Sequence, residues 1–357
     1  MKRKFRFVLL LSLLMVATTS IASAQQLREV FRKVNQSVVT VRTKRLDVAP
    51  APGQVMSIVD GLGSGVLISN DGKVLTAAHV VQTADAALVE FSDGQDSIAR
   101  VIASDVRSDV ALLQLQQPPK GITPATLGDS DTVEVGDQIF VIGAPYGIAQ
   151  TLSVGHLSGR RRLDPNSGNQ SSIEFLQTDA AVNGGNSGSP MFDMNGQVVG
   201  IVSTIMSQSG GSEGLAFAAA TNTAKRFLLD RKPFWSGIDG VLVTGELAKA
   251  LNLPQPAGFL VQRIGEGSMG SRLGINGGTL RVNVQGADLL LGGDVILSVN
   301  NIDITAPASA EPPIGVGPDD NYERILNSLV SLKTGDTVIL TVLRAGKIVK
   351  LTTTIEP

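Results

Sequence analysis

The chain has 357 residues, a formal net charge of −2 and no cysteine. Its length is sufficient for two or three hydrophobic cores, and the lack of cysteine excludes disulfides and thiol chemistry. The charge argues against nucleic acid or an anionic lipid surface as the main partner.

Residues 1–24 are typical of a secretory signal peptide. Basic residues at positions 2, 3, 4 and 6 precede an apolar run from Phe7 to Val16, and the segment ends in Ala22-Ser23-Ala24. Such segments are removed on export, so we expect cleavage after Ala24 and a net charge of about −6 for the mature chain. The apolar run is short for a membrane span, but an uncleaved segment would act as an anchor.

Short strand-like runs punctuated by glycine recur through residues 25–230. Many short strands with turn signals and little helix favour a pair of β-barrels. We expect Thr221–Leu229 to form a closing helix and Lys44–Asp60, which contains proline, to be a loop. The glycine-rich stretch 61–65 precedes a strand and not a helix, so we interpret it as a turn and not as a dinucleotide-binding motif.

His79 is the first candidate catalytic residue in this region. It follows the strand-like run Lys73–Thr76 and two small alanines, which leave room for an imidazole to approach a partner. An imidazole within hydrogen-bond reach can remove the proton of a serine hydroxyl. A satisfied core histidine is the alternative at this position, and it is the favoured interpretation for His156, the other histidine of the chain.

Asp109 is the second candidate, because it directly precedes the apolar run Val110–Leu115. This run would bury the carboxylate, and a buried carboxylate can orient an imidazole and stabilise its charged form. Asp105 lies four residues earlier and is the competing candidate. We expect Asp105 to cap the turn.

Ser187 is the third candidate and lies in Gly185-Asn186-Ser187-Gly188. Glycines at 184, 185 and 188 permit backbone conformations that bring N–H groups close to a substrate carbonyl. We predict that Ser187 is the nucleophile and that the N–H groups of Gly185 and Ser187 form the oxyanion hole. The G-x-S-x-G elbow does not apply, because position 189 is serine. The order His…Asp…Ser is that of chymotrypsin-type proteases.

The chain divides near residues 231–235, and a smaller domain follows. We expect helices at Thr244–Leu251 and Arg324–Leu332, and a proline- and glycine-rich loop at Pro307–Pro318. Strands are predicted at Gly258–Val261, Gly293–Asn300 and Asp336–Arg344.

These motifs resemble those of the HtrA/DegP family of secreted, trypsin-like serine proteases with a C-terminal PDZ domain. The resemblance implies a mainly β fold, a chymotrypsin-like double β-barrel over residues 25–230 followed by one PDZ domain over 235–357. This chain departs from the family pattern at Ser189, where glycine is usual, and at Gly184, in a variable part of the activation loop. The matching stretches are Gly63–Val66, Ala77–Val80, Ser108–Leu113, Ile142–Gly147, Gln177–Asn183 and Gly185–Gly188.

The resemblance also implies roles for individual residues. His79, Asp109 and Ser187 would be the catalytic triad. The PDZ domain would bind C-terminal peptides by strand addition, with the peptide carboxylate held by the loop Trp235-Ser236-Gly237-Ile238 beside the helix Arg324–Leu332. Alternatively, this domain only packs on the protease or its neighbours. The resemblance further implies a homotrimer or larger assembly built through the protease domains.

Ala181 is the residue six positions before the nucleophile, which in trypsin-like enzymes lies at the base of the substrate pocket. An alanine there offers no counter-charge, so we expect small aliphatic residues to be preferred before the cut. Asp179 is the exception to consider, because a shifted loop could bring it near. Ser203 and Leu215 belong to segments, 203–205 and 215–217, that we expect to shape the pocket walls and pair with the substrate backbone.

The sequence therefore predicts a serine endopeptidase that degrades misfolded or unfolded exported proteins, in the periplasm or otherwise outside the cytoplasm. No Walker motif is present, so we expect action without ATP. No His/Cys cluster has the spacing of a zinc site, and no cofactor is expected. The alternative is a peptide-binding chaperone or stress sensor whose protease is mostly latent.

Overall fold

The computed structural model describes residues 25–48, 56–163, 173–207, 209–284, 286–305 and 320–355. The predicted signal peptide and the predicted loop Pro307–Pro318 lie outside these ranges. The fold is mainly β, as the sequence predicts. Within the described ranges, no helix is both long enough and apolar enough to span a membrane.

The first six strands close into a barrel in the order β1-β2-β3-β6-β5-β4. A helix over residues 25–34, α1, precedes the barrel, and the four-residue helix α2 (Ala78–Val81) follows its third strand. Fully buried side chains such as Val41 and Leu113 fill the interior. The strands are β1 (Val38–Val48), β2 (Met56–Leu67), β3 (Lys73–Thr76), β4 (Ala86–Phe91), β5 (Asp96–Asp105) and β6 (Val110–Leu115).

The prediction that Lys44–Asp60 is a loop was wrong for its two described ends. Strands β1 and β2 continue as a paired ribbon, with the register running from Lys44 opposite Asp60 to Val48 opposite Met56. Strand β4 does not extend beside this part of β1. The backbone groups of the two ribbon strands therefore form hydrogen bonds with each other. A long two-stranded ribbon therefore extends from the barrel.

The next strands form a second barrel in the order β11-β8-β9-β10-β13-β12, which the pairing of β11 with β12 closes. The short strand β7 extends this sheet alongside β12. The two predicted barrels are therefore present. The strands are β7 (Thr126–Leu127), β8 (Gln138–Gly143), β9 (Thr151–Arg162), β10 (Glu174–Thr178), β11 (Pro190–Asp193), β12 (Gln197–Ile205) and β13 (Ala216–Ala220).

A continuous apolar cluster joins the two barrels. Leu75 and Leu112 of the first barrel and the stacked rings of Phe140 and Phe192 of the second belong to it, and the ring centroids lie 5.2 Å apart. The predicted closing helix is found as α3 (Thr221–Ala224), which continues into a π-helical turn (Lys225–Leu229) and packs against the same cluster. This shared core fixes the position of each barrel against the other.

A third unit follows, with a sheet in the order β14-β15-β18-β20-β21 and a separate hairpin of β16 and β17. The helices expected at Thr244–Leu251 and Arg324–Leu332 are found with slightly different ends. Strand β14 lies at the edge of the sheet. The elements are β14 (Ile238–Thr244), α4 (Gly245–Ala250), β15 (Ala257–Ile264), α5 (Met269–Arg272), β16 (Leu280–Val284), β17 (Ala287–Leu291), β18 (Val295–Val299), β19 (Ile302–Asp303), α6 (Asp320–Val330), β20 (Thr337–Arg344) and β21 (Lys347–Thr354).

Asp47, near the end of β1, links the ribbon to this third unit. Its carboxylate is 5% exposed and lies 3.1 Å from the guanidinium of Arg263 and 4.0 Å from that of Arg281. A third arginine, Arg45 of the ribbon itself, is 3.3 Å away. A buried carboxylate surrounded by guanidinium groups gains charge-assisted hydrogen bonds that offset its lost hydration.

We predict that Asp47→Asn loosens the third unit from the barrels, because the three arginines lose their common anion. The expected loss is about 1.5–3 kcal/mol of unfolding free energy, the usual range for hydrogen bonds to charged groups. Calorimetric unfolding should show a lower melting temperature or a separate early transition. Asp96→Asn, at an exposed position of β5, is the matched control, and equal effects of the two changes would contradict the assignment.

Candidate active site

Asp109 and His79 meet at the mouth of the first barrel. Asp109 occupies the turn between β5 and β6 with a φ of +52°, a left-handed conformation that aspartate tolerates better than most residues. From there its carboxylate accepts two hydrogen bonds from His79. The ring Nδ1 is 2.8 Å from Oδ2, and the backbone N–H of His79 is 2.9 Å from Oδ1. The carboxylate thus fixes both the start of α2 and the imidazole that α2 carries.

The contact with Asp109 sets the chemical state of the imidazole. An ionised carboxylate only accepts hydrogen bonds, so Nδ1 carries the proton and Nε2 is left as the basic nitrogen. Partial desolvation lowers the pKa of His79, but the hydrogen bond that its Nδ1–H donates to Asp109 and the negative charge of that carboxylate raise the pKa by more. The net result is a pKa above the ordinary value of histidine. The side chain remains 52% exposed, so Nε2 is open to the cleft.

Ser203 of the second barrel also contacts Asp109. Its hydroxyl donates to Oδ2 of Asp109 over 2.6 Å, and the side chain is buried. Ser203 is predicted from the sequence to lie in the wall of the substrate pocket, but no sequence pattern predicts this contact. The sequence signal for this contact is weak, because a serine inside an apolar strand gives no indication of which residue faces it across the junction of two barrels.

Ser187 lies in the loop between β10 and β11, and a serine of the first barrel holds that loop. Ser64 donates its backbone N–H to the carbonyl of Ser187 over 2.7 Å, and its hydroxyl donates to the carbonyl of Gly185 over 2.8 Å. The same hydroxyl accepts the backbone N–H of Ala144. In the sequence, Ser64 belongs only to a stretch that matches the family, and that pattern does not predict this role.

Two glycines flank Ser187 in conformations that other residues adopt only with strain. Gly185 has a φ of +97° and Gly188 a φ of +86°. A Cβ atom on either would collide with a backbone carbonyl oxygen, that of Ala144 or that of Ser64. The glycines therefore allow the loop to lie directly against both barrels.

The backbone N–H groups of Gly185 and Ser187 donate no hydrogen bond to any described residue. Two such donors beside a serine can receive a developing oxyanion. The hydroxyl of Ser187 lies 3.5 Å from the carbonyl oxygen of Ser203, and within the described ranges no hydrogen bond joins it to His79. Catalytic hydrogen bonds of this kind often form only when substrate is bound.

The predicted pocket residues lie on different parts of the cleft. Ala181 is exposed in the loop between β10 and the nucleophile, and Leu215, 40% exposed, bonds through its carbonyl to the N–H of Met206. Asp179 accepts the backbone N–H of His156 over 2.6 Å, which ties its carboxylate to β9. The pocket assignment stays a prediction.

The competing candidates have local partners. Asp105 accepts both the N–H and the hydroxyl of Ser108, each over 2.7 Å, and so caps the turn that leads to Asp109. His156 lies 3.9 Å from the other carboxylate oxygen of Asp179. Across the described part of the chain, no group of three or more histidine and acidic side chains is placed to hold a metal ion.

The predicted carboxylate loop contacts Gln82, the residue that directly follows α2. The indole N–H of Trp235 donates to the backbone carbonyl of Gln82 over 3.0 Å. The side-chain amide of Gln82 donates to the hydroxyl of Ser236 and to the carbonyl of Ile238, over 3.0 and 3.1 Å. The N–H groups of Ser236 and Gly237 donate to no described residue.

Comparison with known proteins finds relatives along most of the chain. Residues 63–201 match the trypsin-like peptidase domain. A probable periplasmic serine endoprotease, DegP-like, of Pseudomonas putida is 36% identical over 279 residues, which cover 73% of this chain and 57% of that protein. The periplasmic pH-dependent serine endoprotease DegQ of Escherichia coli is 36% identical over 248 residues, covering 67% and 53%.

Among solved structures, the match extends through the third unit. A substituted form of the HtrA-type protease AlgW with a decapeptide aligns with a TM-score of 0.51 and 27% identity, covering 92% of this chain and 96% of that one. The chain spans about half the length of the curated relatives it matches.

Two fully buried serines near the nucleophile allow a paired test of the loop. Ser64 is fully hydrogen-bonded, whereas the buried hydroxyl of Ser189 has no partner in the structure. We predict that Ser64→Ala destabilises the protein by about 1–3 kcal/mol, because a carbonyl and an N–H lose their partner. Ser189→Ala should be neutral or stabilising by up to about 1 kcal/mol, because it removes an unsatisfied hydroxyl.

Urea unfolding of the two variants measures both effects, and each serves as the size-matched control of the other. Equal destabilisation by the two substitutions would contradict the proposed hydrogen-bonding difference.

Proposed function

The chain belongs to the HtrA/DegP family of trypsin-like serine proteases, and we propose that it is a serine endopeptidase that acts without ATP on misfolded or unfolded exported proteins. The observation that carries this proposal is the contact of His79 with Asp109, placed beside Ser187 and two free backbone N–H groups. A base, an orienting carboxylate, a hydroxyl and an oxyanion site are the components that acyl transfer requires.

In the proposed reaction, the hydroxyl oxygen of Ser187 attacks the substrate carbonyl while Nε2 of His79 takes its proton. Asp109 stays ionised, keeps the proton on Nδ1 and stabilises the imidazolium. Negative charge on the substrate oxygen is received by the N–H groups of Gly185 and Ser187. His79 then donates the proton to the leaving amine, and water hydrolyses the acyl-enzyme by the reverse sequence of proton transfers.

The substrate class is proposed from the site and from the relatives. Ala181 supports a preference for small aliphatic residues before the cut, because an alanine offers no charge to pair with lysine or arginine. The matched relatives are named as periplasmic, which supports export of this chain to the same compartment. Exported proteins that have lost their fold would present the extended segments that such a cleft can bind.

We propose that residues 25–230 form the protease and residues 235–357 a PDZ domain that binds C-terminal peptides. The edge strand β14 offers unpaired backbone groups for strand addition. The free N–H groups of Ser236 and Gly237 suit a terminal carboxylate. Assembly into a homotrimer or larger oligomer through the protease domains is part of the same proposal, because the family resemblance implies it.

The first test is degradation of an unfolded protein by the purified chain without ATP, beside the Ser187→Ala variant. We expect complete digestion by the chain and a loss of at least about 10³-fold in rate for the variant, because the nucleophile is removed. A C-terminal peptide is added in parallel. If peptide alone starts cleavage, the protease is gated by the third unit. If neither form cleaves under any condition, the chain acts as a binding protein with a latent protease.

The pH dependence of kcat/KM tests the role of Asp109. His79 must be neutral to act as a base, so activity falls as the pH drops through its pKa, which Asp109 raises above the ordinary value of ~6.5. Asp109→Asn removes both raising interactions and leaves desolvation, so the midpoint should move below that value. We expect kcat to fall by about 10⁴-fold as well. An unchanged midpoint would contradict the assignment of Asp109.

A further inference from the structure

A small cavity opens beside His79 on the first barrel. Its volume is about 210 Å³, which suits one amino-acid side chain, and it is bounded by the base of the β1–β2 ribbon and by the His79 helix. The lining residues that matter here are Thr43, Arg45, Asp60, Leu62, His79 and Thr83.

The position of His79 identifies which part of a substrate this cavity faces. In the proposed reaction, His79 donates its proton to the leaving amine, so the residues after the scissile bond lie next to its ring. The segments 203–205 and 215–217, which we expect to bind the residues before the bond, contribute nothing to the lining. The cavity therefore lies on the leaving-group side of the cleft.

The charge of the cavity comes from Arg45. Side chains alternate between the faces of a strand, so Arg45 shares its face with Thr43, whereas Asp60 and the opposing Lys44 lie on the other face. Arg45 is partly buried, and its Nε–H is buried without a hydrogen-bond partner among the residues that the structure describes. The carboxylate of Asp85, which directly precedes β4, accepts the N–H of Leu46. A donor on a cationic group thus borders the cavity.

The carboxylate nearest Arg45 also contacts other arginines. The described ion pair of Arg45 is with Asp47, whose carboxylate also contacts Arg263 and Arg281. Arg263 in turn contacts Asp239 at 3.3 Å. Arg45 therefore shares its one described carboxylate partner with two other arginines, so its positive charge is only partly neutralised there.

We propose that this cavity receives the side chain of the first or second residue after the scissile bond and that Arg45 selects a carboxylate there. The substrates favoured on this side are peptides with glutamate or aspartate. This inference rests on the proposed function, because it assigns a specificity to the same cleft. It adds a determinant on the leaving-group side to the preference for small residues before the cut.

The test uses peptides that are identical except for Glu, Gln or Lys at the first or second position after a valine. We expect the full chain to favour Glu over Gln about 3- to 5-fold in kcat/KM at one of these positions, the range for partly exposed ion pairs. Lys should be cleaved more slowly than Gln, and the preference should decline in ~1 M salt. Arg45→Gln should reduce the Glu-to-Gln ratio to about one, and Arg45→Lys should retain part of it.

Arg281→Gln is the matched control, because Arg281 contacts the same carboxylate and does not line the cavity. It should keep the preference of the unsubstituted chain. A ratio unaffected by Arg45→Gln, or lost equally in Arg281→Gln, overturns the inference.

A binding measurement distinguishes a failure of this inference from a failure of the proposed function. Fluorescent forms of the same peptides are titrated against the Ser187→Ala chain. If no form of the protein cleaves but the Glu peptide binds about 3- to 5-fold more tightly than the Gln peptide, the subsite stands and the protease assignment fails. Equal or undetectable binding of the two overturns the subsite.

Discussion

Ser64 makes four hydrogen bonds at the junction of the two barrels, and the geometry of the candidate site depends on them. Its N–H and hydroxyl hold the carbonyls of Ser187 and Gly185, its hydroxyl also accepts the N–H of Ala144, and its carbonyl accepts the hydroxyl of Thr76. With both carbonyls held by the first barrel, the backbone of the loop that carries the N–H groups of Gly185 and Ser187 is fixed in place. A fully buried serine with every bond satisfied is a rigid connection.

Asp109 provides the second connection between the barrels. It belongs to the first barrel and orients His79, while Ser203 of the second barrel donates to the same carboxylate. A hydrogen bond from each barrel restricts the carboxylate to one orientation, and the imidazole follows it. The apolar cluster shared by both barrels keeps these short bonds in register, because a well-packed core resists small displacements.

The third unit contacts the first barrel next to the His79 helix and at the end of the β1–β2 ribbon. Gln82, which directly follows the helix that carries His79, bonds both Ser236 and Ile238. Asp47, at the end of the ribbon, holds Arg263. The loop proposed to bind a peptide carboxylate is thus joined to the His79 helix by direct hydrogen bonds.

Local patterns in the sequence determined the mainly β fold, the two barrels and the order of the three candidate residues, because glycine spacing, apolar runs and turn residues act over a few positions. The apolar run that follows Asp109 also separated it from Asp105.

The tertiary structure decided the contacts of Ser203 with Asp109, of Ser64 with the nucleophile loop and of Gln82 with the third unit. The residues of these pairs are 94 to 156 positions apart, and no local pattern encodes which serine faces which carboxylate. The ribbon of β1 and β2 also required the structure, because its pairing is stabilised by a partner strand and by arginines far along the chain.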